Sequence, residues 1–462
     1  MKKTASIILA AALSLASMAE VSAANKTKQP LKEWTIAVFL NADNNLDEFG
    51  VEDQEEMSKI GSKEHMNIVT LIDREKGPAQ INYIEKNKIM KIKDMGELDM
   101  GDYKEFIKFA KFIKENYPAK HYSFSFWNHG SGWRAKQEKA LFRGVSYDDS
   151  SDNHITTNQL TTALKEVKDI LGQKIDVINF DACLMQMVEV AYACKDYVNY
   201  MVGSEEIEPG MGAPYNDILR GVKAGITPEK FARNWATAFV KSYDEDGSQG
   251  TDDSTQSVVD LSKIDALTDA LSGVAKSVMA GKYGNVIGKV VAKSQKYDDT
   301  DNLDIYSLLD QLKKIATKDK ALLSAIEKAQ NAFKEAVLYS GFTGRRLKNS
   351  NGLAIFMPSD FKVEQLYKDL GFAKNSMWDE MILSLGTRVQ VEKLVEGVKS
   401  GRISELKLVV SKAKRDSRNP MYRTMLQELN FLYASENAVP AQYKNEVKSL
   451  LEDMAKAIKR SN

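Results

Sequence analysis

The chain has 462 residues, of which 43% are hydrophobic and 28% are charged. It is therefore expected to be globular and long enough to bury a large core. Its 64 basic residues balance 64 acidic residues, so no overall field attracts phosphate backbones or an anionic membrane surface. Nucleic acid is therefore not expected as a partner.

The amino terminus has the pattern of a secretory signal. Basic residues at 2–3 precede an apolar stretch at 6–18, and the small residues Ser22 and Ala23 follow at the positions a signal peptidase reads. Residues 1–23 are predicted to be removed, and the mature protein is expected to be exported, either periplasmic or secreted. No segment approaches the roughly 20 apolar residues that a membrane-spanning helix needs.

Eight short apolar or alternating runs predict strands, and three amphipathic patterns between them predict helices. The strands are expected at 34–40, 67–73, 81–85, 121–127, 143–147, 175–180, 198–203 and 352–358, and the helices at 103–116, 157–171 and 184–195. Thr156 or Thr157 is a candidate cap for the second helix. Repeated strand and helix units predict an α/β fold with a mostly parallel sheet covered on both faces.

The second half of the chain is mostly helical. From 227 to about 345 only the run at 256–261 resembles a strand, and the strand at 352–358 is expected to return to the sheet. Residues 227–345 are therefore interpreted as a helical insertion. Residues 386–462 are charged and helical, and they are interpreted as a C-terminal extension.

A histidine and a cysteine follow two of the predicted strands. His129 lies in a glycine-rich turn after the strand at 121–127, and Cys183 follows the strand at 175–180. Loops beyond the carboxyl ends of parallel strands are where ligands bind in such folds. A histidine about 50 residues ahead of a cysteine is the order and spacing of the caspase arrangement, and here the separation is 54 residues. The pattern predicts a cysteine peptidase.

This pair can perform nucleophilic catalysis. Cys183 would attack the carbonyl as a thiolate, and His129 would accept the thiol proton and then protonate the departing amine. Backbone N–H groups of Gly130 and of Cys183 itself are the candidate oxyanion hole. Taken singly, a histidine in a turn or a cysteine after a strand has a structural role more often than a catalytic one. The prediction of catalysis therefore rests on their joint placement at equivalent strand ends.

The remaining cysteine and histidines are interpreted as structural. Cys194 is eleven residues from Cys183, roughly 16 Å along a helix at about 1.5 Å per residue, which is beyond disulfide reach. His65, His121 and His154 show no metal-ligand spacing, so a zinc enzyme is disfavoured and no cofactor is predicted. The oxygen-rich run at 41–47 could ligate calcium, but it lacks the glycine and terminal glutamate of a calcium loop, and a turn is preferred.

Asp181, two residues before the cysteine, has three interpretations. Its carboxylate could face solvent, cap a helix beginning near Leu184, or form the floor of a pocket for a cationic side chain. The spacing alone leaves these alternatives open.

Four segments together resemble the clostripain family of cysteine peptidases. They are residues 34–46, 127–133, 179–185 and 352–358. The resemblance covers 33–385, which it marks as a peptidase domain, and leaves 386–462 unexplained. It implies a caspase-like αβα sandwich, cleavage after arginine or lysine, and maturation by cutting within the chain. The family's aspartate two before the nucleophile binds the basic substrate side chain, and Asp181 matches that position, which favours the pocket.

The sequence thus predicts an exported cysteine endopeptidase acting on proteins or peptides with arginine or lysine. The alternatives are a catalytically silent relative that binds basic peptides, and a related peptidase with another preference. Self-cleavage is expected in the polar, basic segment at 133–143, since exposed polar loops are where nicking concentrates. Lys139 is the first candidate processing residue, followed by Lys136, Arg143 and Arg134. The natural substrate and the oligomeric state stay open.

Overall fold

The computed structural model describes residues 31–134, 144–281, 283–435 and 438–459. The predicted signal at 1–23 and most of the predicted processing segment lie outside these ranges. The described strands are β1 (Lys32–Ala42), β2 (Met66–Arg74), β3 (Ala79–Glu85), β4 (Lys88–Gly96), β5 (Ala119–Trp127), β6 (Gly144–Asp148), β7 (Asn153–Thr156), β8 (Ile175–Asp181), β9 (Val198–Gly203), β10 (Thr255–Asp260), β11 (Asn302–Asp304), β12 (Val337–Phe342) and β13 (Ala354–Phe356).

Nine of these strands form one sheet in the order β12-β10-β9-β8-β5-β1-β2-β3-β4. The five at the centre, β9 to β2, run parallel, and two antiparallel strands extend each side. β8 is buried along its whole length because it lies inside the sheet between β9 and β5 and is covered on both faces, whereas the lysine-rich β4 is exposed and closes one edge.

The larger helices are α1 (Asp47–Ile60), α2 (Tyr103–Asn116), α3 (Thr157–Leu171), α4 (Val188–Cys194), α5 (Tyr215–Gly221), α6 (Pro228–Ser242), α7 (Ile264–Ala280), α8 (Gly284–Lys293), α9 (Ile305–Ile315) and α10 (Lys320–Ala336), followed by α11 (Gln365–Lys368), α12 (Gly371–Lys374), α13 (Trp378–Lys399), α14 (Ile403–Arg415), α15 (Pro420–Ala434) and α16 (Lys444–Lys459). No helix within the described ranges is long and apolar enough to cross a membrane.

Helices cover both faces of the sheet. α1, α5 and α6 pack on one face around side chains such as Met57, Trp235 and Phe239. α2, α3 and α4 pack on the other around Phe106, Leu160 and similar residues, and the core continues into α7 to α10. The predicted α/β sandwich with a mostly parallel centre is confirmed.

The helix predictions at 103–116 and 157–171 are correct to the residue. Thr156 caps α3, and its side chain and that of Gln159 form a reciprocal capping box. The helix expected at 184–195 begins only at Val188. Leu184 has a φ of 61°, and the N–H groups of Leu184 and Gln186 bond to the carbonyls of residues 206 and 204, so this stretch is held out of the helix.

The strand expected at 352–358 does not return to the main sheet, so that expectation is wrong. β13 pairs instead with the short β11 in a separate two-stranded sheet. The helical stretch at 227–345 contributes β10 and β12 to one side of the main sheet. At the carboxyl end, α13 to α16 share a small core of their own. Residue 385, the predicted end of the peptidase domain, lies within α13.

Candidate active site

His129 and Cys183 are carried to the same edge of the sheet by β5 and β8, which are parallel neighbours. The loops that follow these strands touch. Asn128 donates its N–H to the Asp181 carbonyl at 3.2 Å, and a Cβ built on Gly130 would lie 2.5 Å from the carbonyl oxygen of Cys183. The two loops that carry the candidate residues are therefore in direct contact, and only glycine fits at position 130.

The Asn128 side chain fixes the turn that presents the histidine. Its Oδ1 accepts the N–H of Tyr147 at 3.0 Å and the N–H of His129. Its Nδ2 donates to the carbonyls of Asn41 at 2.6 Å and Tyr147 at 2.8 Å. These four bonds use the full capacity of a primary amide in a buried position. Sequence reasoning attached no role to this residue.

The His129 ring is held by Asn45, which the sequence analysis treated only as part of a turn. His129 Nε2 lies 2.7 Å from Asn45 Oδ1. In the tautomer that donates this bond, Nδ1 is left as the basic nitrogen. Burial lowers the pKa of His129, and the nearby Asp149 carboxylate only partly opposes this effect. The imidazole is therefore neutral near pH 7 and able to accept a proton.

Cys183 is a free, partly exposed thiol. Its Sγ accepts the backbone N–H of Glu208 at 3.3 Å. Burial, followed by the charge of the Glu208 carboxylate, raises the pKa of Cys183 to about 12. The sulfur is therefore protonated in this arrangement, and a nucleophilic thiolate requires proton transfer to a nearby base.

Asp181 is buried and faces away from the helix that it was considered to cap. Its Oδ1 accepts the N–H of Ala213 at 3.1 Å, and its Oδ2 accepts the Tyr215 hydroxyl at 2.8 Å. The cap of α4 is Met187, so the capping interpretation is wrong. Gly212 lies against the carboxylate with a φ of 56°, and a Cβ there would lie 3.1 Å from Oδ1. Burial raises the pKa of Asp181 to about 6.

Two further acids share the surroundings of Asp181. Glu208 accepts from the Gln256 amide at 3.1 Å and interacts with the Asp181 carboxyl, while Asp53 accepts from the Trp127 indole at 2.6 Å. Burial, and then the charge of Asp181, raises the pKa of both Glu208 and Asp53. We refer to Asp181, Glu208 and Asp53 as the acidic pocket.

The neighbouring Glu205 and Glu206 point elsewhere. Glu205 accepts the N–H of Gly352 at 3.0 Å, next to Asp304. Glu206 is fully buried and pairs with Arg346 at 2.6 Å. Of the glutamates at 205, 206 and 208, only Glu208 therefore joins Asp181.

The ends of the predicted processing segment are fixed close to the histidine turn. Ser131 donates its N–H to the Gly144 carbonyl at 3.0 Å, and Gly144 donates its N–H to Ser131 Oγ at 3.1 Å. Arg134 lies 3.3 Å from both Asp301 and Glu364, and its guanidinium is 5.5 Å from the centre of a phenylalanine ring. The other candidate processing residues, Lys139, Lys136 and Arg143, lie outside the described residues.

The remaining cysteine and histidines have structural surroundings. Cys194 is a buried free thiol, so the expectation that the two cysteines are unpaired is confirmed. His65 contacts the Val222 carbonyl, His121 contacts Asp176, and His154 stacks on Tyr147. Among the described residues, no group of three or more histidine, cysteine or acidic side chains is arranged to hold a metal ion.

Comparison with solved structures supports the caspase-like fold. The chain is similar to a secreted C11 cysteine protease from Bacteroides thetaiotaomicron in complex with an irreversible peptide inhibitor, with a TM-score of 0.59 and 21% identity over 75% of this chain and 100% of that one. It is also similar to an inactive zymogen C11 protease from Parabacteroides distasonis, with a TM-score of 0.56 and 20% identity over 75% and 99% of the two chains. The predicted fold is confirmed.

Sequence comparison gives the family. Clostripain of Hathewaya histolytica is 27% identical over 418 residues, which cover 75% of this chain and 78% of that protein. A model of the clostripain family, Peptidase_C11, matches residues 38–385. Because this match spans most of its length, the chain belongs to the clostripain family of cysteine peptidases.

Proposed function

We propose that this chain is an exported endopeptidase that cleaves after arginine or lysine, with Cys183 as nucleophile and His129 as general acid and base. The observation that carries the specificity is the acidic pocket beside the thiol. Residues 33–385 form the peptidase unit in this proposal, and residues 386–462 form an extension. Export is supported by the signal pattern at 1–23 and by the secreted relative from B. thetaiotaomicron.

The acidic pocket favours a basic substrate side chain on electrostatic grounds. The Asp181 carboxylate is bonded to neutral donors, and Glu208 is also bonded to a neutral amide. Buried carboxylates without a cation raise each other's pKa and stay partly protonated. A guanidinium or ammonium group would let them ionise and would form charge-assisted hydrogen bonds with them. The pocket is therefore completed by the substrate.

The catalytic steps follow from the placement of the two loops. His129 Nδ1 takes the Cys183 proton as the sulfur attacks the carbonyl carbon, and the N–H groups of Gly130 and Cys183 stabilise the oxyanion. The imidazolium then protonates the departing amine. A water, deprotonated by His129, hydrolyses the thioester and restores the thiol. Burial raises the pKa of Cys183 to about 12, which favours transfer of the thiol proton to His129 during the attack.

An arginyl reporter substrate and a biotinylated thiol-reactive arginyl probe test this proposal. Cys183→Ala and His129→Ala should each abolish hydrolysis, because nucleophile and base act as a unit. Both variants should also lose labelling, Cys183→Ala because the sulfur is absent and His129→Ala because the thiol has lost its base. The matched control, Cys194→Ala, should keep most of the activity. Equal losses in the two cysteine variants would refute the assignment, and binding of arginyl peptides without cleavage would favour the noncatalytic alternative.

We also propose activation by self-cleavage between His129 and Cys183. Lys139 stays the first candidate and Arg134 the last, because the Arg134 guanidinium is held by two carboxylates. The P. distasonis relative was solved as an inactive zymogen, which is consistent with a precursor form. Wild-type protein should yield two fragments with a junction at 133–143 by amino-terminal sequencing, and Cys183→Ala should stay intact. A Cys183→Ala sample cut at the same bond without added peptidase would refute self-cleavage.

A further inference from the structure

A second cavity opens beside the candidate nucleophile. It has a volume of about 400 Å³ and is lined by Glu208, Asp252, Asp253, Arg346 and a few apolar or small residues. Glu208 belongs to both sites, since its N–H reaches Cys183 Sγ and its carboxyl lies in the acidic pocket. The cavity is therefore contiguous with the reacting centre.

The cavity lies at the same sheet edge as Cys183, on the side away from His129. β9 ends at this edge, the antiparallel β10 begins there, and β12 ends there. The segments that follow β8 and β9 are joined by a hydrogen bond from the Leu184 N–H to the Glu206 carbonyl. The segments next to β10 and β12 are joined by one from the Thr343 N–H to the Ser254 carbonyl, so all four segments lie at the same end of the sheet. Neighbouring strands are about 4.8 Å apart, so the end of β10 is roughly 10 Å from that of β8.

The chemistry of the proposed peptidase fixes the direction of a bound peptide, and this step rests on the proposed function. His129, beyond β5, protonates the leaving amine, so the residues after the scissile bond extend toward β5 and β1. The residues before that bond must extend the opposite way, across the ends of β9, β10 and β12. An extended chain advances about 3.3 Å per residue, so the second to fourth residues before the bond pass over the cavity.

Alternation of side chains selects one of these residues. In an extended peptide, every second side chain points to the same face. If the first residue before the bond enters the acidic pocket, the third points the same way and enters the cavity, which shares Glu208 with that pocket. We propose that this cavity is the subsite for the third residue before the scissile bond, and that it prefers a basic side chain over an acidic one.

The charges of the cavity wall support this preference. Its cation, Arg346, lies 2.6 Å from the fully buried Glu206 and 3.1 Å from Asp253. Asp252 is exposed and contributes a further carboxylate, in addition to Glu208. Because Arg346 is already neutralised by its two partners, the wall presents net negative charge to a substrate.

Reporter peptides of the form acyl-X-Pro-Arg test the proposal, with proline included so that the bond after X is a poor substrate. With X as lysine, alanine or glutamate, kcat/KM should fall in that order. Lysine should exceed glutamate by about three- to tenfold, the size expected for partly exposed charges. Asp252→Asn combined with Asp253→Asn should bring the lysine-to-glutamate ratio to within about twofold of one, because the wall loses two carboxylates and Arg346 keeps only Glu206 as an acidic partner.

Two controls complete the experiment. Asp453→Asn removes a carboxylate of similar exposure that pairs with Lys414 in the C-terminal extension, and it should leave the ratio unchanged. Raising the salt concentration should lower the ratio in the wild type, a measurement that needs no folded variant. A salt-independent wild-type ratio near one would overturn the subsite, as would a ratio unchanged in the double variant. If the alanine peptide is not cleaved in a Cys183-dependent way, the proposed function and the subsite both fall.

Discussion

The loop that carries His129 and the loop that carries Cys183 are stabilised by different kinds of side chain. The His129 loop is held by amides: Asn128 makes four hydrogen bonds, and Asn45 accepts from the ring. The Cys183 loop is surrounded by carboxylates, chiefly Asp181 and Glu208, whose pKa values are raised by burial. Neutral amides are satisfied within the protein, whereas buried carboxylates are costly until a cation reaches them.

The two loops therefore differ in what they do: one holds the histidine ring, and the other offers carboxylates to a cation. The amide-held side fixes the ring of His129, the proposed acid and base, before any substrate binds. The carboxylate side lacks a cationic partner, and in the proposed function a basic substrate supplies it, so part of the interaction energy becomes available only on binding. Substitutions on the two sides should therefore give different kinetic signatures.

Among substitutions that keep both His129 and Cys183, the largest effect is expected for Asp181→Asn, which keeps the shape of the acidic pocket but removes a charge. Truncating a buried charge-assisted pair costs on the order of 2–5 kcal/mol. Arginyl and lysyl reporters should lose activity by that amount in kcat/KM, while a citrulline reporter should change little. The matching Glu208→Gln variant should show a smaller loss. If Asp181→Asn still strongly preferred arginine over citrulline, the pocket charge would come from elsewhere.

The pH dependence should follow from the same group. Burial raises the pKa of Asp181 from 3.8 to about 6, so the carboxylate proposed to attract arginine is lost as the pH falls through about 6. The arginine-to-citrulline ratio of kcat/KM should fall through this range in the wild type and stay flat in Asp181→Asn. A ratio that did not change with pH would contradict the titration of this carboxyl.

A smaller effect is expected on the amide side from Asn45→Ala. The imidazole would lose the acceptor 2.7 Å from Nε2, so kcat should fall by roughly tenfold while KM changes little, as for a general base that is mispositioned. Asn45→Asp keeps an oxygen acceptor and should restore most of the rate. Its carboxylate should also raise the pKa of His129 and move the acid limb of the rate profile to higher pH. Full activity in Asn45→Ala would show that the hydrogen bond is not used.

The smallest effect concerns stability. Because the pKa of Asp181 is higher in the folded protein than in the unfolded chain, the folded state binds more protons between about pH 4 and 6, and its stability falls as the pH rises through that window. Asp181→Asn should therefore raise Tm by on the order of 2–4 °C at pH 7.5 and have no such effect below about pH 4. Differential scanning calorimetry would measure this. Asp453→Asn, whose carboxylate has a lowered pKa beside Lys414, should not raise Tm at either pH.

Periodicity predicted the strands that position the site because β1, β5 and β8 are apolar over most of their length. The same property misplaced the strand at 352–358. β13 is equally apolar and buried, and apolar content does not specify which strand is its partner. β4 and β12 were missed because one is lysine-rich at an exposed edge and the other continues directly from a long helix.

The site was predictable where chemistry requires a particular residue type. Histidine and cysteine at neighbouring strand ends could be found from spacing. Asn128 and Asn45 could not, because asparagine is common in turns and only the folded structure shows their partners. The helix at 184–195 was predicted too early because the backbone around Leu184 bonds to the segment at 204–206, a contact distant in sequence.

The mutual hydrogen bonds of Ser131 and Gly144 have a topological consequence. They tie together the two ends of the segment 132–143, with β1 to β5 before it and β8 to β10 and β12 after it. A chain opened there would consist of two pieces that share one sheet, and the pieces would meet where β5 pairs with β8. His129 would belong to one piece and Cys183 to the other, so neither piece would carry a complete catalytic pair by itself.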